Sequence, residues 1–174
     1  MNLSFSYDAQ IDAKNFIQST KSVNNHKPTK LPYRKNIGAL IFKGDKYLLV
    51  QKIDWPDNFW KLPQGGIDDD EKKETAILRE LNEELGTDKF NIIKHFPFTR
   101  QYDWDEENLK FANFRWRGQK QSFYLIEFVG DEINLNLKES KNYCWVTKDK
   151  LLKLIDIKHP LFKGYKKLVE KLLK

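Results

Sequence analysis

The chain has 174 residues, of which 40% are apolar, and its 31 lysines and arginines against 25 aspartates and glutamates give a net charge of +6. This length and apolar content predict one globular domain with its own core, and a single cysteine, Cys144, excludes an internal disulfide framework. No apolar run approaches the roughly 20 residues of a membrane span, and no basic-then-apolar leader opens the chain. We therefore expect a cytoplasmic protein without a membrane partner. The basic excess suits a polyanionic ligand, although lysine abundance can equally reflect genome composition.

The first part of the chain divides into an arm and a hairpin. Residues 1–32 are polar and weakly periodic, so we predict an N-terminal arm or linker, with a packed arm and a disordered tail both left open. The main domain is predicted over residues 33–174. Within it, apolar runs at 37–42 and 46–53 flank the turn residues Lys43-Gly44-Asp45, which predicts a β-hairpin.

An aromatic loop follows the hairpin and leads to a glycine pair. Residues 54–61 include Trp55, Phe59 and Trp60, which could stack on a nucleobase, although aromatic residues beside a helix more often pack as core. Gly65-Gly66 then lets the backbone approach a metal or a phosphate closely, and a plain turn would use glycine as well.

An acid-rich helix is predicted within residues 65–87. Apolar residues recur every four positions on one of its faces, and three carboxylates gather on another. These carboxylates are Glu80, Glu83 and Glu84. Like charges at this spacing repel one another by a few tenths of a kcal/mol per pair, which a hard divalent cation would offset. The acids at 68–71 are expected to cap the start of this helix, and Gly86 to end it in a left-handed conformation.

Strands and helices alternate after this stretch. Residues 90–98 are predicted as a strand, 100–117 as a long loop with mixed aromatic and basic residues, and 119–129 and 143–146 as further strands. Helices are predicted at 148–155 and 161–174, with a break at His159-Pro160. Strands on both sides of the acidic helix, with helices at the end, predict an α/β sandwich with a mixed β-sheet.

The acidic stretch resembles the Nudix box, G-x5-E-x7-R-E-U-x-E-E-x-G-U. Its fixed positions are filled by Gly65, Glu71, Arg79, Glu80, Leu81, Glu83, Glu84 and Gly86, and only the last, usually aliphatic position departs, as Thr87. The resemblance implies the Nudix fold, an α/β/α sandwich with a mixed β-sheet and a loop-helix-loop box. Four further stretches at 33–38, 60–67, 118–124 and 139–146 are similar to the bacterial RNA pyrophosphohydrolases and the plant-type diadenosine tetraphosphate hydrolases.

This resemblance implies a set of site residues, in two groups. Metal ligands would be Gly66, through its carbonyl, with Glu80, Glu83, Glu84 and Glu139. Catalytic roles fall to Glu83, Glu139 and Arg79, of which Arg79 braces the loop-helix-loop through Glu71 and Glu139 binds metal or takes a proton from water.

Substrate contacts are carried over in the same way. Arg34, Lys52 and Lys120 match basic positions that can meet phosphates, and Tyr102 is a candidate for stacking on a base. Lys52 stands where the bacterial enzymes usually carry arginine, so a bidentate phosphate grip is not expected there.

The implied activity is metal-assisted hydrolysis of a phosphoanhydride bond, with Mg²⁺ as cofactor and Mn²⁺ as the alternative. The expected substrates are a 5′-triphosphorylated RNA end, from which pyrophosphate is removed, and diadenosine polyphosphates. Two alternatives remain at this point: a housekeeping hydrolase of small nucleotide polyphosphates, and a catalytically silent module that binds nucleotides or RNA.

Overall fold

A computed structural model describes residues 30–174, apart from the side chain of Leu161. The arm predicted over residues 1–32 lies outside these residues except for its last three positions. Within the described part, two compact units are distinguished. The first combines residues 30–34 with Tyr102–Gln119, and the second combines Lys35–Gln101 with Lys120–Lys174.

The fold is built on a six-stranded sheet of the α/β class. Its strands are β1 (Tyr33–Lys43), β2 (Lys46–Lys52), β3 (Gln64–Gly66), β4 (Phe90–Asp103), β5 (Gly118–Phe128) and β6 (Ser140–Thr147). The order across the sheet is β4-β5-β1-β2-β6, and β3 pairs with β1 outside this path. β1 and β2 form the predicted antiparallel hairpin, and the mixed sheet expected from the sequence is confirmed.

Helices cover both faces of the sheet. They are α1 (Lys73–Leu85), α2 (Glu106–Phe111), α3 (Lys148–Leu154) and α4 (Tyr165–Leu172), with a 3-10 turn at Pro160–Phe162. None of the helices within residues 30–174 is long and apolar enough to cross a membrane.

Two hydrophobic cores follow from the period of two along the strands. In β1, Ala39 and Ile41 pack in one core with Leu81 and Leu85 of α1. Leu40, which lies between them in sequence, belongs to the other core together with residues of α3 and α4. The sheet is therefore the middle of three layers, as predicted.

The structure departs from the sequence-based prediction in three elements. β4 runs on to Asp103, and α2 occupies the middle of the segment predicted as a long loop. α2 begins where the side chain of Asp105 accepts a hydrogen bond from the backbone N–H of Asn108 at 2.9 Å, which is a standard N-cap. The short strand β3 was not predicted, because three residues with two glycines carry no strand period.

Candidate metal and catalytic site

β3 brings the glycine pair against the carboxylate of Glu80. Gly65 and Gly66 pair with Ile37 and Asn36 of β1, which fixes the path of the backbone at this point. A Cβ atom added at Gly65 would overlap the Glu80 carboxylate. Glycine is therefore required at position 65 by the close approach of the strand backbone to this carboxylate.

The guanidinium of Arg79 ties the end of β3 to α1. Arg79 donates two hydrogen bonds to the carboxylate of Glu71, at 2.9 and 2.8 Å, and a third to the carbonyl of Gly66 at 3.1 Å. The hydrogen bond from Arg79 holds the pKa of Glu71 below its usual value. We call Glu71, Arg79 and the Gly66 carbonyl the Arg79 brace; its geometry is the one that the sequence resemblance implied for Arg79.

The start of α1 differs from the prediction. The helix begins at Lys73, with Lys72 at the N-cap and no side-chain cap, so the acids at 68–71 do not cap it. Glu71 instead accepts hydrogen bonds from Arg79 and from the backbone N–H of Asp68 at 3.1 Å. The bidentate, charge-assisted pair with Arg79 engages the carboxylate that a cap would need. At the other end, Gly86 is left-handed, with φ 62° and ψ 30°, as predicted.

Two carboxylates of α1 share the far side of the same guanidinium. Arg79 Nη1 donates to Glu80 at 3.0 Å and to Glu83 at 3.2 Å. Burial raises the pKa of Glu80, and the hydrogen bond from Arg79 opposes that rise. The Glu83 side chain, by contrast, is 51% exposed.

The third carboxylate of α1 belongs to a different ion pair. Glu84 is buried, with 3% of its surface exposed, and its carboxylate lies 3.1 Å from the ammonium of Lys52. The same ammonium lies 3.2 Å from the carboxylate of Glu139. Ser140 also donates its hydroxyl to Glu84 at 2.7 Å. We call Lys52, Glu84 and Glu139 the Lys52 bridge.

Glu139 reaches this position because the segment before β6 packs on the end of α1. The N–H groups of Asn134 and Asn136 donate to the carbonyls of Leu85 and Glu84, both at 2.9 Å. These carbonyls belong to the last turn of a helix, where partners from outside are needed. Asn136 in turn accepts the N–H of Glu139 at 3.0 Å. The helix end that carries Glu84 therefore also fixes the segment that carries Glu139.

The donor set suits a hard divalent cation. Carboxylate oxygens and a backbone carbonyl are the ligands that Mg²⁺ and Mn²⁺ prefer, and Glu84 is buried beside a positive charge. Among the residues that the structure describes, no three acidic, histidine or cysteine side chains converge as a metal cluster. Arg79 and Lys52 lie between these carboxylates and neutralise part of their charge. The residues therefore fit a hard cation by the type of their oxygen ligands, while Arg79 and Lys52 hold the carboxylates in two separate sets of ion pairs.

The predicted substrate contacts fall in both units. In the second unit, Lys52 is engaged by the two carboxylates of the bridge, and Lys120 is exposed on β5. In the first unit, the guanidinium of Arg34 lies 5.6 Å from the ring centroid of Trp116, and the hydroxyl of Tyr102 donates to Gln119 at 2.7 Å.

Two features of the site escaped sequence reasoning. Gln121 is fully buried and donates to the side chains of Asn36 and Gln64, at 2.8 and 2.9 Å, which holds β3 in place beside β1. The sequence offered little signal, because Gln121 lies in a polar stretch of β5 between Lys120 and Ser122. Lys61, directly before Leu62, is 4% exposed; its position between aromatic and apolar residues was the signal for burial.

Comparison with known proteins identifies relatives over most of the chain. The NUDIX domain family matches residues 32–171. A protein of Rickettsia peacockii named RNA pyrophosphohydrolase is 35% identical over 159 residues, which cover 87% of this chain and 99% of that protein. A protein of the same name from Wolbachia sp. subsp. Brugia malayi is 40% identical over 126 residues, 69% of this chain and 78% of that protein.

Several solved structures have a fold similar to that of this chain. The E. coli dihydroneopterin triphosphate pyrophosphohydrolase aligns with a TM-score of 0.57 at 20% identity, over 71% of this chain and 88% of that one. A C. elegans Ap4A hydrolase in a binary complex aligns with a TM-score of 0.55 at 21% identity, over 79% and 98% of the two chains. At these identities the likeness concerns the fold alone.

Proposed function

The chain belongs to the NUDIX family, and on that premise we propose that it is a divalent-cation-dependent hydrolase that removes pyrophosphate from the 5′ end of triphosphorylated RNA. The observation that carries this proposal is the 35% identity to an RNA pyrophosphohydrolase over nearly the whole of that protein. The complete set of box carboxylates supports an enzyme rather than a silent binding module. An RNA substrate and a single cysteine suit a cytoplasmic location.

The proposed cofactor is Mg²⁺, with Mn²⁺ as the alternative. When bound, such an ion neutralises charge on the polyphosphate and lowers the pKa of a bound water. The proposed ligands are the side chains of Glu80, Glu83, Glu84 and Glu139 with the carbonyl of Gly66.

Exposure divides the proposed roles of these carboxylates. The side chains of Glu83 and Glu139 are 51% and 42% exposed, whereas that of Glu84 is 4% exposed. A group that takes a proton from an attacking water must be reached by that water. Glu139 is therefore proposed as the general base, with Glu83 as the second accessible carboxylate and Glu84 as a ligand only.

The basic residues have separate proposed tasks. Arg79 holds Glu71 and Gly66 in place through the brace, so it positions the site without taking part in proton transfer. We propose that three basic residues contact phosphate oxygens of the substrate. The ammonium groups of Lys52 and Lys120 would act as single positive charges, and the guanidinium of Arg34 can form two parallel hydrogen bonds. Tyr102 is proposed to stack on a base.

The experiment that tests the substrate compares a short 5′-triphosphorylated RNA with diadenosine tetraphosphate and nucleoside triphosphates. RNA should give the highest kcat/KM. Its binding should weaken more steeply with salt than that of the dinucleotide, by a log–log slope of about 0.7 per phosphate neutralised on a single strand. Equal salt slopes, with RNA the poorer substrate, would contradict the proposal and favour diadenosine polyphosphates. Preference for nucleoside triphosphates would favour the small-nucleotide alternative.

A further inference from the structure

Lys61 is a buried lysine whose backbone is fixed on both sides. Its N–H and C=O exchange hydrogen bonds with Val50, at 3.1 and 2.9 Å, and Val50 precedes Lys52 by two residues. The next residue, Leu62, donates its N–H to the hydroxyl of Tyr165 at 3.0 Å. Opposed residues of an antiparallel pair project from the same face of a sheet, so the Lys61 side chain lies on the face of Val50. Val50 packs in the core under α1, the helix that carries Glu80 and Glu84.

The ammonium of Lys61 has no carboxylate in direct contact among residues 30–174. None of the ion pairs within 4.0 Å in that part of the chain includes it. Its described neighbour is the ring of Trp55, whose centroid lies 5.6 Å from Nζ. The site carboxylates nevertheless act on it: burial lowers the pKa of Lys61 to about 7, while the charges of Glu84, Glu139 and Glu80 raise it and that of Lys52 lowers it.

Packing alone does not explain a lysine at this position. Taking an ammonium out of water without a contacting carboxylate is unfavourable, and methionine or glutamine would fill a similar volume without carrying a charge. Lys52 already contacts Glu84 and Glu139 directly. Lys61 adds a second positive group, farther from these carboxylates than Lys52. Its charge still acts on them, because the low polarity of the interior keeps Coulomb interactions strong.

We propose that Lys61 is a positioning residue that tempers the negative potential of the carboxylate cluster, so that a divalent cation binds less tightly and a polyphosphate is accepted more readily. The inference rests on the proposed function, because it concerns the same carboxylates. A buried positive charge repels a cation bound by Glu84 or Glu139 and attracts an anion that approaches them. A single residue should therefore affect the two ligands in opposite directions.

The test measures these two affinities separately, without turnover. Lys61→Met and Lys61→Gln remove the charge, Lys61→Arg keeps it, and Lys46→Met removes a charge from the exposed start of β2 as a matched control. Calorimetric titration with Mn²⁺ alone at pH 6, where the Lys61 ammonium is mostly protonated, should show about five- to tenfold tighter binding in Lys61→Met and Lys61→Gln. Titration with inorganic pyrophosphate, without divalent cation, should show weaker binding in the same variants. Lys61→Arg and Lys46→Met should stay near the wild-type values.

The outcomes separate this inference from the proposed function. An active wild type whose Mn²⁺ affinity is unchanged in both neutral variants overturns the role of Lys61 and leaves the proposed function standing. Changes of the same sign for Mn²⁺ and pyrophosphate also overturn it, because a structural disturbance would act in that way. Loss of cooperative unfolding in both neutral variants would show a purely structural lysine. A wild type that neither binds Mn²⁺ nor hydrolyses any polyphosphate overturns both proposals together.

Discussion

Arg79 and Lys52 each lie between carboxylates, but they gather their partners from different distances along the chain. The Arg79 brace joins groups between Gly66 and Arg79 and shares its guanidinium with Glu80 and Glu83 of the same helix. The Lys52 bridge joins β2, the end of α1 and the segment before β6. The brace depends on one loop-helix unit, whereas the bridge forms only when three separate segments have come together. Substitutions in the bridge should therefore affect folding and catalysis together.

The largest expected effect comes from the accessible end of the bridge. Glu139→Gln should lower kcat by roughly two to four orders of magnitude at saturating Mg²⁺, because an amide cannot accept the proton of the attacking water. Steady-state kinetics on 5′-triphosphorylated RNA measure this effect, with Glu132→Gln as a control at an exposed acid. An unchanged kcat in Glu139→Gln would show that the general base lies elsewhere.

The next comparison separates the buried and exposed carboxylates of α1. Glu83→Gln and Glu84→Gln should each lower Mg²⁺-dependent turnover by about a hundredfold or more. The free energies of unfolding of the two variants should differ. Glu84→Gln should lose about 1–3 kcal/mol, because it leaves Lys52 and Ser140 with a poorer partner. Glu83→Gln should stay within about 0.5 kcal/mol of the wild type. Urea unfolding without metal measures both. Equal free energies of unfolding would mean that the bridge does not stabilise the fold.

Replacing Arg79 by lysine and Lys52 by arginine tests whether the geometry of the positive group matters more in the brace than in the bridge. Arg79→Lys removes the fork that grips Glu71, and kcat/KM should fall by about ten- to a hundredfold. Lys52→Arg keeps a positive charge between Glu84 and Glu139, where one ammonium meets both, so the expected loss is about threefold or less. Kinetics of the two variants side by side provide the measurement. A greater loss in Lys52→Arg than in Arg79→Lys would reverse the assignment of roles.

The smallest effect concerns the acid stability of the brace. Because the folded pKa of Glu71 lies below its unfolded value near 4.5, the pair stabilises the protein above that value and this contribution is lost as pH falls through the folded pKa. The free energy of unfolding should therefore decrease below about pH 4.5 in the wild type. In Glu71→Gln this part of the decrease should be absent. Identical pH profiles of the two proteins would contradict the depressed pKa.

The contrast between the brace and the bridge also explains which parts of the site could be predicted from the sequence. The residues of the brace lie close together in sequence, and the family resemblance implied the contact of Arg79 with Glu71, whereas local pattern alone wrongly predicted Glu71 as a cap of α1. The bridge depends on backbone hydrogen bonds from Asn134 and Asn136 to the end of α1, which leave no periodic signal. The family resemblance suggested Glu139 as a candidate site residue, while its contact with Lys52 became evident only from the fold. For the helix α2 and for the burial of Lys61 local signals did exist, in the cap at Asp105 and in the flanking Trp60 and Leu62, but neither signal is specific enough to be decisive by itself.

The most direct test of the proposed activity is product analysis. A 5′-triphosphorylated RNA of defined sequence is incubated with the protein and Mg²⁺, and the RNA end and the released phosphate species are resolved over time. The account predicts 5′-monophosphorylated RNA and inorganic pyrophosphate, or orthophosphate in steps, with the products lost when Mg²⁺ is chelated and strongly reduced in Glu139→Gln. An RNA whose triphosphate end stays intact, while the wild type is folded and Mg²⁺ is present, would contradict the account.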